Sequence, residues 1–139
     1  MSASKRKNRS RKPVKATRSD PACEGCPALC CHDLVMPINK PRTRSEIEEL
    51  KWKLQYDTVS AFISNQRWNL QIKGRCIYLT DDHLCSIYER RPERCRKHKP
   101  SECERHGSYF DVRINTPEEL QAHLDREKRG RRKAKARRR

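Results

Sequence analysis

The sequence has few of the residues that build a hydrophobic core. Leu, Ile, Val and Phe together account for 22 of its 139 residues, and only two of these are Phe. A chain with so little apolar area and so much charge does not fold on hydrophobic burial alone. Its apolar runs are short, and no hydrophobic stretch follows the basic N-terminus, so the sequence disfavours a membrane span and a signal peptide. We therefore expect a protein of the reducing cytoplasm.

Glycine is also scarce, with only four in the chain. The sequence contains no glycine-rich phosphate loop and no nucleophile with an evident base, and it is too short for a cofactor-binding sheet. These absences favour a non-catalytic protein. An iron–sulfur redox protein, or an accessory subunit of a modification enzyme, is the alternative at this stage.

Positive charge, by contrast, is abundant and concentrated at both ends. The chain has 34 Lys and Arg against 18 Asp and Glu, which gives a net charge of +16. Residues 1–18 carry eight basic and no acidic side chains, and residues 126–139 carry ten basic side chains and one acidic. The sequence thus predicts one small, nearly neutral domain, 19–125, between a disordered basic arm and a basic tail. Ala134 and Ala136 favour a helix in that tail.

Clusters of Lys and Arg bind polyanions by displacing counterions, so we interpret both arms as docking on RNA or a ribonucleoprotein. Solubilising tails without a dedicated partner are the alternative. No aromatic residue interrupts either arm, which favours contacts with phosphate over base stacking. The predicted contact residues are the basic side chains near the two ends: Lys5, Arg6, Lys7, Arg9, Arg11, Lys12, Arg131, Arg132, Lys133, Lys135, Arg137, Arg138 and Arg139.

The pattern of the neutral core predicts a small α+β fold with two helices and about three short strands. A helix is expected over residues 43–65, where Thr43 and Glu46 can form a capping box. Thr116 suits the N-cap of the second helix and Pro117 its first position. The strands are predicted at residues 68–72, 76–79 and 110–114, from alternating or β-forming residues.

All eight cysteines lie in this core: Cys23, Cys26, Cys30, Cys31, Cys76, Cys85, Cys95 and Cys103. Disulfides need an oxidising compartment, and the adjacent Cys30 and Cys31 are hard to bridge without strain. Core filling does not require so many cysteines at short spacings. Cys23-x2-Cys26 places two thiolates to chelate one ion, as in zinc ribbons and iron–sulfur proteins. We therefore predict that the cysteines bind zinc or an iron–sulfur cluster, with zinc slightly favoured.

The cysteines form two groups, residues 23–31 and 76–103, that are separated by the predicted helix and strand. A metal ligated from both groups would close the intervening loop and supply the stability that the thin core lacks. Imidazole is an alternative ligand at the histidines near these cysteines, which are His32, His83, His98 and His106.

Two further sets of residues lie near the cysteines. Arginines around Pro92 offset thiolate charge, bind an anion or are simply solvated: Arg90, Arg91, Arg94 and Arg96. The aromatic residues predicted to pack in the core around the site are Trp52, Trp68, Tyr78 and Tyr88.

The order of the cysteine motifs resembles the YkgJ-like cysteine-cluster family of zinc- or iron-chelating proteins. The resemblance rests on Cys23-x2-Cys26-x3-Cys30-Cys31, on the Cys-Ile-Tyr-Leu block at 76–79, and on the segment from Asp81 to Arg96 with its Arg-Pro-x-x-Cys-Arg block. It covers roughly residues 20 to 106 and implies that seven cysteines are shared positions, while Cys103 lies beyond the most characteristic blocks. Flagellin lysine methyltransferases contain a similar cluster, but we find no pattern for a second domain that would bind a methyl donor, so we do not expect that enzymatic role here.

Overall fold

The computed structural model describes residues 28–98 and 109–139 of the chain. Its centre is a four-stranded antiparallel sheet that consists of β1 (Asp33–Ile38), β2 (Val59–Ser64), β3 (Arg67–Lys73) and β4 (Val112–Ile114). The strand order in the sheet is β1-β3-β2-β4. The helices are α1 (Arg44–Lys53), α2 (Glu93–Lys97) and α3 (Pro117–Arg137). The predicted α+β class is confirmed, although the structure has four strands and a third, short helix.

Helices α1 and α3 cover one face of the sheet and enclose the hydrophobic core. The buried leucines of this layer are Leu50 of α1, Leu54 directly after the end of α1, and Leu120 and Leu124 of α3. They pack against alternate residues of the strands, Ala61, Ile63, Trp68, Leu70 and Ile114. Apolar side chains that recur every 3.6 residues on the helices thus pack against apolar side chains at every second residue of the strands.

We expect Leu120→Ala to lower the free energy of unfolding by about 2–5 kcal/mol, because this fully buried side chain would leave a cavity between α3 and the sheet. Urea unfolding of the full-length protein measures the change. Leu34→Ala is the matched control, since Leu34 is 56% exposed, and it should cost less than about 0.5 kcal/mol. Equal losses in the two variants would contradict this description of the core.

The opposite face of the sheet holds a polar network around Gln71, which is only 2% exposed. The Gln71 amide donates to Asp33 Oδ2 at 2.5 Å, and the Tyr109 hydroxyl donates to Gln71 Oε1 at 2.8 Å. Arg113 donates to the Tyr109 hydroxyl at 3.1 Å, and Phe62 packs edge-to-face with the Tyr109 ring. Because the polar groups of Gln71 are satisfied, the network orders this face at little desolvation cost.

Both predicted helix starts are confirmed. The Thr43 hydroxyl accepts from the Glu46 N–H, and the Glu46 carboxylate accepts from the Thr43 N–H, which completes a capping box on α1. On α3, the Thr116 hydroxyl accepts from the Glu119 N–H and Pro117 takes the first helical position. These side chains satisfy amides that a helix leaves without intrahelical partners.

The predicted end of α1 is wrong, because the helix stops at Lys53 and residues 59–64 form β2. Val59, Phe62 and Ile63 prefer strands, and sheet pairing on both sides outweighs the apparent helical repeat. The hairpin turn lies at Asn65 and Gln66, whose positive φ values of 49° and 65° suit a two-residue turn between twisted strands.

Two other expectations from the sequence are wrong. Residues 76–79 do not form a strand, and only Leu79 makes an isolated bridge, with Cys85. Among the predicted core aromatics, Trp68 is buried, but Trp52 and Tyr78 are 55% and 44% exposed. Trp52 lies on the side of α1 away from the sheet, where it packs edge-to-face with Tyr56.

The C-terminal basic tail is helical, as Ala134 and Ala136 indicated in the sequence. Helix α3 continues past residue 126 to Arg137 without a break. Gly130 costs about 1 kcal/mol relative to Ala, but the Ala, Lys and Arg residues around it are strong helix formers. Basic residues in the last turn and acidic residues in the first also complement the helix dipole. The predicted arm at residues 1–18 lies outside the described residues.

None of the helices in the described segments has the length and apolar character needed to cross a membrane.

Candidate metal centre

The sheet register brings Cys30 and Cys31 of the first cysteine group close to Cys76 of the second, at one end of the sheet. Asp33, at the start of β1, pairs with Lys73, at the end of β3. Cys30 and Cys31 lie just before β1, in a single 3-10 turn over Leu29–Cys31, and Cys76 lies three residues after β3. Segments that are about 45 positions apart in sequence therefore become neighbours.

Backbone hydrogen bonds extend this contact beyond the strands. The Gly74 N–H donates to the His32 carbonyl at 2.7 Å, and the Cys76 N–H donates to the Cys31 carbonyl at 2.8 Å. The backbone of Cys76 is thus fixed directly against Cys31. The sheet holds two of the predicted ligands next to each other without any contribution from their side chains.

A tight loop then returns Cys85 to the same region. Leu79, which is buried, forms an antiparallel bridge with Cys85, and the Thr80 N–H donates to the Leu84 carbonyl at 2.8 Å. The Leu84 N–H donates to the Thr80 hydroxyl at 3.0 Å, and His83 takes a positive φ of 60° at the turn. Backbone geometry, rather than side-chain packing, therefore places Cys85 opposite Leu79.

Three other cysteines act on the pKa of Cys31. A hydrogen bond with the Cys30 thiol raises the pKa of Cys31, and burial and the nearby charges of Cys30, Cys76 and Cys85 raise it further. The neutral thiol of Cys31 is therefore favoured over its thiolate. Cys31 and Cys85 are half-buried, while Cys30 and Cys76 are exposed. Cysteines from separate chain segments thus lie in one region of the protein, and cysteine sulfur is the donor that zinc and iron–sulfur clusters take.

The remaining predicted cysteine ligands are one described residue, Cys95, and three that lie outside the described residues. Cys95 is exposed on α2 and is not among the groups that act on Cys31. Cys23, Cys26, Cys103 and His106 lie outside the described residues. Within residues 28–98 and 109–139, no three side chains of His, Cys, Asp or Glu form a ready metal site as they stand. Cys31, Cys76, Cys85 and Cys95 are not joined in disulfides.

Two of the arginines near Pro92 support the local structure. The Arg91 guanidinium lies 3.8 Å from the centre of the Tyr88 ring, and its Nε donates to the Tyr88 carbonyl at 2.8 Å. Arg94 donates to the Val35 carbonyl at 3.1 Å and so ties α2 to the outer edge of β1. This contact was missed from the sequence, because β1 itself was not predicted. Neither bond is to a sulfur.

The structure is a small α+β domain in which chain segments that are distant in sequence bring their cysteines close together. This arrangement is typical of metal-binding domains. The family comparison agrees. The chain belongs to the CxxCxxCC family, described as a "putative zinc- or iron-chelating domain", whose model matches residues 22–127. The match includes all eight cysteines and ends within α3. It confirms the resemblance seen in the cysteine motifs.

No curated protein and no solved structure matches the chain.

Proposed function

We propose that this protein is a non-catalytic metal-binding domain whose basic arms bind RNA. The proposal of metal binding rests on the closeness of Cys30, Cys31, Cys76 and Cys85 at one end of the sheet. The Cys23 and Cys26 thiolates and the later Cys95 and Cys103 complete the proposed ligand set. Eight thiolates can serve two four-sulfur sites.

The bound metal would neutralise the thiolate charge and cross-link the segments before β1 and after β3. Backbone hydrogen bonds already join these two segments, and the metal would bind their cysteine side chains. Zinc is favoured over an iron–sulfur cluster because closed tetrahedral thiolate sites are its usual structural form. Metal binding free energy then becomes folding free energy.

Elemental analysis of anaerobically purified protein tests the metal. We expect at least one zinc or iron per chain, and colourless protein if the metal is zinc. Brown protein with visible absorption would instead support the iron–sulfur redox alternative. Less than one metal per chain in carefully prepared protein would contradict metal binding altogether.

The proposal of RNA binding is supported by the position of the basic residues on α3. All side chains from Lys128 to Arg139 are exposed, and ten of the last fourteen residues of the chain are Lys or Arg. The helix rises about 1.5 Å per residue, so it presents this charge as a rod rather than as a flexible tail. Binding is expected to depend on phosphate contacts and to tolerate changes in RNA sequence.

A further inference from the structure

A groove of about 370 Å³ lies between the segment at residues 40–42, α1 and the middle of α3. Its apolar walls include Ile47 of α1 and Leu124 of α3. The remaining lining is strongly charged, and it joins the nearly neutral core to the start of the basic part of α3. The groove is on the helical side of the sheet, whereas the cysteines lie at the ends of β1 and β3.

Four cations line this groove, against one carboxylate. The cations are Lys40, Arg42, Lys128 and Arg131, and the carboxylate is Glu127. The Lys40 ammonium donates to Glu127 Oε2 at 2.5 Å, so these two charges compensate each other. Among the residues that the structure describes, no carboxylate lies within 4.0 Å of the other three cations. The groove therefore keeps an excess of three positive charges.

Glu127 remains ionised despite partial burial. Burial by itself raises the pKa of this carboxyl, but the hydrogen bond and charge of Lys40 outweigh that effect and hold the pKa below its usual value. His123 lies 3.7 Å from the other carboxylate oxygen. Lys40 is thus the main charge partner of Glu127, although the charges of His123 and Arg131 also lower the pKa of this carboxyl.

The cationic side of the groove continues along α3. Lys128 and Arg131 are followed by Lys135 at helical spacing, and about 100° of rotation per residue places all three on one side. They span about 10 Å along the axis. Arg129 and Lys133 lie on the opposite side of the same helix.

We propose that this groove and the adjoining side of α3 bind the phosphodiester backbone of RNA. The inference rests on the proposed RNA-binding function and assigns it to one surface. The groove would seat a phosphate between Arg42, Lys128 and Arg131, and Lys135 would contact the next part of the backbone. The Glu127 carboxylate would weaken binding, because it repels phosphate and occupies Lys40.

Two double variants of the full-length, metal-loaded protein test the surface. Lys128→Gln with Arg131→Gln removes two charges from the groove side, and Arg129→Gln with Lys133→Gln removes two from the opposite side. We expect the groove pair to lower affinity for a labelled structured RNA about tenfold and to reduce the magnitude of the salt slope by about 1 to 2, whereas the opposite pair should lower affinity less than about threefold. Fluorescence anisotropy at several salt concentrations measures both, and far-UV circular dichroism confirms that α3 is intact.

A third variant is expected to bind RNA more tightly than the wild type. Glu127→Gln removes the one acidic side chain of the groove and releases Lys40, so the affinity should rise severalfold. Asp125→Asn changes the charge by the same amount two residues earlier, outside the groove, and should have a smaller effect.

The possible failures are distinguishable. If the wild-type protein does not bind RNA, the proposed RNA function and this inference are both wrong. If the wild type binds and the two double variants lose affinity equally, the groove is not the contact surface, although the RNA function stands. Weaker binding by Glu127→Gln would also overturn the groove assignment.

Discussion

Cys85→Ser is expected to abolish metal retention and cooperative unfolding. Serine preserves the size of the side chain but removes the thiolate. Zinc binding in small domains contributes roughly 10–16 kcal/mol of apparent free energy, whereas whole domains are stable by about 5–15 kcal/mol. In the part of the chain that the structure describes, the core between the sheet and the two helices has nine buried residues, so packing there offers little stabilisation to replace a lost ligand. Cys26→Ser should behave in the same way.

Metal content and thermal melting of each variant measure this effect. A metal chelator provides the internal control, because it should unfold the wild-type protein and leave the melting behaviour of Cys85→Ser unchanged. Cys103→Ser should be milder, since Cys103 lies beyond the most characteristic blocks of the motif. A Cys85→Ser protein that keeps its metal and its melting transition would show that this cysteine packs rather than binds.

The sequence predicts those parts of the fold that depend on local side-chain chemistry. The capping residues Thr43 and Thr116 act through neighbours three residues away, so short patterns identify them. Likewise, the alternation of Trp68, Leu70 and Ile72 predicts β3 without knowledge of its partners. The segment after α1 was misassigned because the identity of β2 depends on pairing with β3 and β4, which are distant contacts that a local pattern does not contain.

The same distinction applies to the candidate site. The spacing of the cysteines and the order of the motifs predict metal binding. The structure brings Cys31, Cys76 and Cys85 from before and after the long loop to one end of the sheet, and ligation of one metal from both groups stays a prediction. How they meet could not be predicted, because it follows from the pairing of β1 with β3. Strand β1 contains Pro37 and half-exposed residues, so its pattern alone does not indicate a strand. The division of the eight cysteines between sites stays a prediction.

Deletion of residues 129–139 should weaken RNA binding more than deletion of residues 1–18, although each deletion removes eight positive charges and no negative ones. If charge alone determined affinity, the two truncated proteins would be equivalent. In α3, however, the cations are held at fixed positions on a helix that is continuous with the core and borders the groove at Lys128. Contact with several phosphates then costs less conformational entropy than it would for the disordered arm that the sequence predicts at residues 1–18. We expect the difference in affinity to be about tenfold.

Titration of a labelled structured RNA at several salt concentrations measures the affinity of each truncated protein and its dependence on salt. For the full-length protein, contact with four or more phosphates predicts a slope of log affinity against log salt of about −3 or steeper, at about −0.7 to −0.9 per phosphate. Deletion of 129–139 should flatten this slope most, and deletion of both segments should leave almost no binding, since the core at 19–125 is nearly neutral. Neither deletion removes a cysteine, so unchanged metal content is the control for folding. Equal affinities for the two truncated proteins would mean that the helix adds nothing beyond its charge, and salt-independent binding by the full-length protein would contradict phosphate recognition by the basic segments.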